Sequence, residues 1–142
     1  MADKMQFDLV SPERGLASME AKEVQLPGAE GDMTALPDHA PLVTTLRPGV
    51  LRVSDGQSDR EFVVTGGFAE ITAESISVLA EQAMPKDEIN GDVFAKMVDV
   101  ANEKLAKAQA QSANHPASVD DAAKYLDDII AMGGEIGLSA NR

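Results

Sequence analysis

The 142-residue chain has no cysteine and no tryptophan, one tyrosine and two histidines. Without thiols there can be no disulfide, thiolate metal site or cysteine nucleophile, and such a composition suits a reducing compartment. The histidines, His39 and His115, are far apart in the sequence and belong to no HExxH-type spacing, so no metal is expected. Aromatic residues are only 4% of the chain while hydrophobic residues are 44%, so a globular core must be built from Val, Leu, Ile, Ala and Met. Basic residues are scarce, 12 Lys and Arg against 24 Asp and Glu, a formal charge of −12. That surface repels nucleic-acid phosphates and anionic headgroups, which argues against nucleic acid and lipid insertion and favours basic protein partners. No apolar run approaches the ~18 residues a membrane helix needs. The start, MADKMQFDLV, has the features of neither a signal nor a transit peptide, so the mature chain is expected to begin near residue 1 and stay in the cytosol.

What is present falls into two periods. Through about Met84 the chain reads as short strands. Met5, Phe7 and Leu9 alternate with polar residues, Val24 to Leu26 runs into Pro27-Gly28, and Val50 to Val53 ends at Asp55-Gly56. Phe62 to Val64, Phe68 to Ile71 and Ile76 to Leu79 follow. Many short β-branched runs bounded by turn residues indicate an antiparallel sandwich or barrel. Five of the 7 prolines (Pro12, Pro27, Pro37, Pro41, Pro48) lie in this half, each expected at an edge, bend or loop.

From about Pro85 the period becomes helical. Ile89, Val93, Met97, Val100, Ala101, Leu105 and Ala108 recur at three and four, with Asp92–Lys96 and Glu103–Lys107 as acid-first pairs on the opposite face. Gln111 to Pro116 breaks the pattern. Ser118-Val119-Asp120-Asp121 reads as a capped start, with Val119, Ala122, Ala123, Leu126, Ile129, Ile130 and Gly133 as the apolar stripe and Gly133-Gly134 as the stop. Met97 and Ile129-Ile130 then form the seam of an antiparallel hairpin. The sequence thus divides into a β-sandwich domain, 1–84, and a helical hairpin domain, 85–142.

No chemistry emerges. Ser11, Ser18 and Ser54 are expected at turns, and no nucleophile-elbow pattern surrounds them. Gly28-Ala29-Glu30-Gly31 lacks a lysine, carries Glu30 and Asp32, and does not open a helix, so it reads as a tight acidic loop between strands rather than a phosphate cradle. Gly66-Gly67 reads as a turn needing positive φ. Lys124, with Asp120, Asp121, Asp127 and Asp128 three or four residues away, reads as a solvated salt-bridged face; a docking surface for a basic groove is the alternative. A small hydrolase is disfavoured because the sequence lacks any coherent acid–base–nucleophile set. A free-standing acidic binding module is the reading from a different class.

One string carries more information than its periodicity. LPDHAPLVTTLRPGVLRV (Leu36 to Val53), preceded by VQLPGAEGDM, resembles the most recognisable segment of the epsilon subunits of bacterial F-type ATP synthases. SPERGL (Ser11 to Leu16) and GGFAEITAESISVLAE (Gly66 to Glu81) match the same family in order and spacing. The resemblance implies a ten-stranded β-sandwich followed by two helices. It implies a rotor subunit that binds the gamma subunit, sits on the c-ring and couples proton-driven rotation to ATP synthesis. It implies no cofactor, and a peripheral position on the cytoplasmic face of the bacterial inner membrane. The c-ring contact would fall on Glu30, Gly31 and Asp32, and the gamma contact on His39, Ala40, Pro41 and Leu42. The chain has MTALPDHAP where the family often has FGVLPGHAP, which alters local contacts at Met33, Thr34 and Asp38.

The helical half departs further from the family. Where many bacterial members carry I/L-D-x-x-R-A, in some of them part of an ATP site, this chain has Ile89-Asn90-Gly91-Asp92-Val93-Phe94. Asn90 and Val93 replace the Asp and the Arg, so no nucleotide binding is expected. Family members can also inhibit hydrolysis by extending the hairpin toward an acidic segment of the alpha/beta catalytic subunits. Between Val119 and Glu135 this chain has Asp120, Asp121, Asp127, Asp128 and Glu135 against Lys124 alone. Like charges disfavour that contact. The expectation is weak inhibition and a folded-down hairpin; the alternative is a regulatory subunit whose helices sense ATP and inhibit hydrolysis.

Overall fold

The computed structural model describes residues 4–111 and 116–138; His115 and the centre of the expected helix break lie outside them. The chain forms two compact units, Met1–Lys86 and Asp87–Arg142.

The first unit is a ten-stranded sheet: β1 (Met5–Val10), β2 (Gly15–Ala21), β3 (Glu23–Gly28), β4 (Gly31–Ala35), β5 (Leu42–Leu46), β6 (Gly49–Ser54), β7 (Asp59–Val64), β8 (Gly67–Ile71), β9 (Ser75–Ala80) and β10 (Ala83–Pro85). Its order is β10-β7-β6-β3-β5-β8-β9-β1-β2, with β4 paired to β3 off this path. All pairs are antiparallel except β1 with β9. The end strands β10 and β2 approach each other, so the sheet nearly closes as a sandwich. Inward-facing residues at period two fill it: Phe7 and Leu9, Val24 and Leu26, Leu51 and Val53, Ile76 and Val78 are all buried. Few aromatics are needed because β-branched and leucine side chains from facing strands supply the volume.

Pro27 departs from the expectation of an edge, bend or loop. It lies buried within β3, between β4 on one side and, on the other, the point where the partner changes from β6 to β5. Its carbonyl accepts the Arg47 N–H at 3.0 Å. The nitrogen that cannot donate falls at that change of neighbour, where the proline interrupts no continuous ladder. Ser18 is likewise not in a turn. It stands in β2, and its hydroxyl accepts from Gln6 Nε2 at 3.0 Å. Gly66 and Gly67 turn the chain into β8 with φ of 144° and 124°. Asp55 closes the β6–β7 turn by accepting the N–H groups of Gln57 and Ser58, both at 2.8 Å.

The second unit holds α1 (Gly91–Ala110) and α2 (Pro116–Glu135), packed against each other. Phe94 near the start of α1 meets Gly133 near the end of α2, and Lys104 stands 4.0 Å from the Tyr125 ring centroid, so the two run antiparallel. The buried stripe of α1 is Phe94, Met97, Val98, Ala101 and Ala108; Val100, expected on it, is exposed. On α2, Leu126, Ile129 and Met132 are buried. The helix already runs from Pro116, so Ser118 sits inside its first turn and is not the cap. Nor do Gly133 and Gly134 stop it. Gly137, with φ of 84°, does: its N–H bonds Gly134 carbonyl at 3.2 Å and Leu138 N–H bonds Gly133 carbonyl at 2.8 Å, the paired bonds of a Schellman ending.

Candidate interaction surfaces

The acidic loop is the tip of the β3–β4 hairpin. Gly28 pairs with Gly31, so Ala29 and Glu30 alone make the turn, and Gly31 takes φ of 147°. Glu30 is exposed and has no hydrogen bond or ion pair among the described residues. Asp32 differs: the Arg47 guanidinium pairs with it through Nη2. The same guanidinium donates through Nη1 to the Gly28 carbonyl at 2.5 Å. Ala29 N–H bonds Thr45 carbonyl at 2.9 Å, completing the attachment of the tip to the β5–β6 corner. Sequence reasoning did not single out Arg47. The available signal was that it is the one Lys or Arg between Glu23 and Leu51, in a stretch that carries carboxylates at Glu30, Asp32 and Asp38.

His39 to Leu42 forms the end of the β4–β5 connection and enters β5. Asp38 takes φ of 67°, and its N–H bonds the Ala73 carbonyl at 2.8 Å. His39 is half-buried; its N–H bonds Leu36 carbonyl at 3.2 Å, and Nδ1–H donates to the Ala40 carbonyl at 2.6 Å. Among the described residues no group of three His, Cys, Asp or Glu could hold a metal. Ala40, Pro41 and Leu42 are exposed.

Beyond Leu42 the exposed face of the sheet is apolar. Val10 on β1 is registered with Leu79 on β9, Leu79 with Phe68 on β8, and Phe68 with Thr45 on β5. Val43 shares that face of β5 two residues from Thr45. These side chains point to water: Val43 is 66% exposed, Leu79 47%, Phe68 44% and Val10 40%. A groove of about 430 Å³ is lined among others by Val10, Pro12, Phe68, Leu79 and Glu81. The row was invisible in the sequence, because alternation marks two faces without saying which is covered.

At the start of α1, Asn90 is the N-cap, its Oδ1 accepting the Val93 N–H at 2.9 Å. Val93 is half-buried and Asp92 exposed. On α2, Lys124 pairs with Asp128 at 2.8 Å, the solvated face expected from the spacing. No helix of the described residues is long and apolar enough to cross a membrane.

Residues 4–86 match the family described as ATP synthase, Delta/Epsilon chain, beta-sandwich domain. The chain is 54% identical over 138 residues to the ATP synthase epsilon chain of Ruegeria sp. (strain TM1040), covering 97% of this chain and 100% of that one. It is 51% identical to the ATP synthase epsilon chain of Rhodobacter capsulatus, with 97% and 100% covered. A chain in the Euglena gracilis mitochondrial ATP synthase shares its fold, with TM-score 0.71, 22% identity, and 96% of this chain and 83% of that one covered. A chain of the Tetrahymena thermophila mitochondrial ATP synthase central stalk and c-ring superposes with TM-score 0.56 and 18% identity, over 87% of this chain and 96% of that one.

Proposed function

The chain belongs to the epsilon-chain family of the ATP synthases, and from that premise we propose that it is a non-catalytic central-stalk subunit that transmits rotation between the c-ring and the gamma subunit. The β unit makes both contacts, through Glu30, Gly31 and Asp32 to the ring and through His39 to Leu42 to gamma. The complex is held at the cytoplasmic face of the inner membrane, with this subunit peripheral. The solved structures similar in fold come from assemblies described as containing a c-ring and, in one, a central stalk, which supports the choice of partners.

The observation that carries this reading is the apolar row Val10–Leu79–Phe68, continued by Val43 beside the His39–Leu42 segment. In a chain of charge −12, three large apolar side chains aligned across neighbouring strands, with Val43 two residues along from the row, are a docking face, since an isolated surface has no reason to expose them together. Gamma covers it, with Phe68 as the central anchor. Co-expression with gamma followed by size exclusion tests this. The wild-type chain co-elutes, and Phe68→Asp migrates alone while keeping its strand content; co-elution of the Asp variant at full yield would count against the assignment.

The hairpin gives no support to a nucleotide sensor. Its first turn is closed by Asn90, and no cation stands at Val93. The acidic face of α2, with Asp120, Asp121, Asp127 and Glu135 exposed, makes the unit a weak brake at most.

A further inference from the structure

Arg47 makes three bonds to one small piece of structure. Its N–H bonds the Pro27 carbonyl at 3.0 Å, its Nη1 bonds the Gly28 carbonyl at 2.5 Å, and its Nη2 pairs with Asp32. The first two acceptors lie at the end of β3 and the third at the start of β4, so one side chain bridges both limbs of the hairpin just below Glu30. The Arg47 side chain is 22% exposed and that of Asp32 is 78% exposed. An ion pair this open adds little stability. Its consequence is geometric, because a planar guanidinium shared between a carbonyl and a carboxylate fixes both acceptors at once.

We infer that Arg47 is the positioning residue of the ring-docking tip: it engages Asp32 as an internal counter-charge, so that Glu30 is the carboxylate presented to the partner. This deepens the reading of the β3–β4 tip as the c-ring contact and rests on it. The partner chemistry is a polar loop offering amide or cationic donors to a single carboxylate. Two carboxylates flank the tip: Asp32 gives one oxygen to Arg47, whereas Glu30 has both of its oxygens unengaged. A partner that took Asp32 instead would meet a carboxylate whose charge the guanidinium already offsets.

Charge and position make opposite predictions here. Removing Arg47 raises the net negative charge of the tip, which by attraction alone would tighten docking to a donor-bearing loop. Removing it also releases the Gly28 carbonyl and the Asp32 carboxylate from their shared donor, which weakens docking by loss of preorganisation at the tip. The experiment measures binding of the full chain, in complex with gamma, to purified immobilised c-ring at low and high salt. Glu30→Gln weakens binding about tenfold, as the loss of a charge-assisted bond does, and flattens the salt dependence. Arg47→Gln weakens it roughly three- to tenfold despite the added negative charge. Asp32→Asn weakens it similarly, and the double variant Arg47→Gln/Asp32→Asn is no worse than either single one. Arg47→Lys, which keeps the charge without the fork, falls between wild type and Arg47→Gln. Unaltered co-elution with gamma shows that each variant is folded. Arg47→Gln binding as well as wild type or better, while Glu30→Gln binds worse, overturns the positioning role. Loss of the salt dependence in Asp32→Asn but not in Glu30→Gln makes Asp32 the docking charge and overturns the assignment. If Glu30→Gln, Asp32→Asn and Arg47→Gln all bind the ring as wild type, the tip is not the ring contact at all, and the underlying reading fails with the inference.

Discussion

The ring of Phe94 in α1 rests so closely on Gly133 in α2 that a Cβ at the glycine would stand 2.2 Å from the phenyl Cζ. Phe94 is only 2% exposed, so it cannot swing aside into water. Gly133→Ala therefore sets two effects against each other. Alanine favours a helix interior by up to about 1 kcal/mol over glycine. Over-packing a filled site costs about 1–3 kcal/mol, and with a contact this short the cost falls in the upper part of that range. The hairpin is destabilised, and its amides in the intact chain exchange about tenfold faster, which corresponds to ~1.4 kcal/mol. Phe94→Leu in the Gly133→Ala background restores part of the protection. Slower exchange in Gly133→Ala would mean that helix propensity outweighs the contact.

The same contact shows why the sequence was only partly legible. A glycine pair at 133–134 carries a stop signal and a close-packing signal in the same letters, and only the partner helix decides between them. Here Phe94 decides, and the stop passes to Gly137. The stripe of α1 shifted in part for a related reason: Met97, Ala101 and Ala108 are buried as expected, but Phe94 and Val98 on the adjoining face join them while Val100 is exposed. With apolar residues on both faces, the buried face is set by what packs there. In the β half, six strands were legible as short alternating or, in β7, continuous apolar runs bounded by turn residues. β2, β4, β5 and β10 were not, since Gly15–Ala21, Gly31–Ala35 and Leu42–Leu46 bury few side chains and Ala83–Pro85 has only three residues. The tip at Glu30 to Asp32 was legible from its glycines and charges. The Arg47 clamp was not, because it joins positions 15 residues apart.

Asp55 makes the fold sensitive to acid. Its carboxylate accepts the backbone N–H groups of Ser58 and Gln57, and these bonds hold its pKa below the usual carboxylate range. The folded carboxyl then protonates at lower pH than the unfolded one. Between the two pKa values the unfolded chain binds more protons, and stability rises with pH. The contribution is complete above the unfolded value, about 3.9, and is lost as pH falls through the folded one. Asp55→Asn keeps an acceptor but removes the charge. It melts at a lower temperature than wild type at neutral pH, and the gap closes as pH falls from about 4. A gap independent of pH between neutral and strong acid would show that the charge adds nothing.

Asn90 has a structural occupation that accounts for a polar residue at that position without a ligand. Its Oδ1 accepts the Val93 N–H, satisfying one of the unpaired donors of the first turn. Asn and Asp cap about equally well, so Asn90→Asp keeps the fold and restores the acid of the family's motif without the missing cation. Isothermal titration of ATP into either protein gives no saturable heat, with or without magnesium. Tight binding by the wild-type chain would contradict the reading of this turn as a plain cap.

The proposal that the hairpin brakes hydrolysis weakly, if at all, is testable by removing the helices, and the strand pairing sets where to cut. β10 pairs Ala83, Met84 and Pro85 with Val64, Val63 and Phe62, so a chain ending at Ala83 would lose most of a strand that belongs to the sandwich. A chain ending at Lys86 keeps it. On α2, Asp120, Asp121, Asp127 and Glu135 are exposed, while Lys124 is already paired with Asp128. If the family's acidic target on the catalytic subunits applies to this chain, an acidic face of this kind gains nothing from it, and at physiological ionic strength the repulsion acts over about 8 Å. Steady-state ATP hydrolysis by the assembled complex therefore changes by less than about twofold, or ~0.4 kcal/mol, when the full chain is exchanged for the one ending at Lys86. A many-fold rise on truncation, with gamma still bound, would mean that the hairpin holds the enzyme back through contacts other than charge.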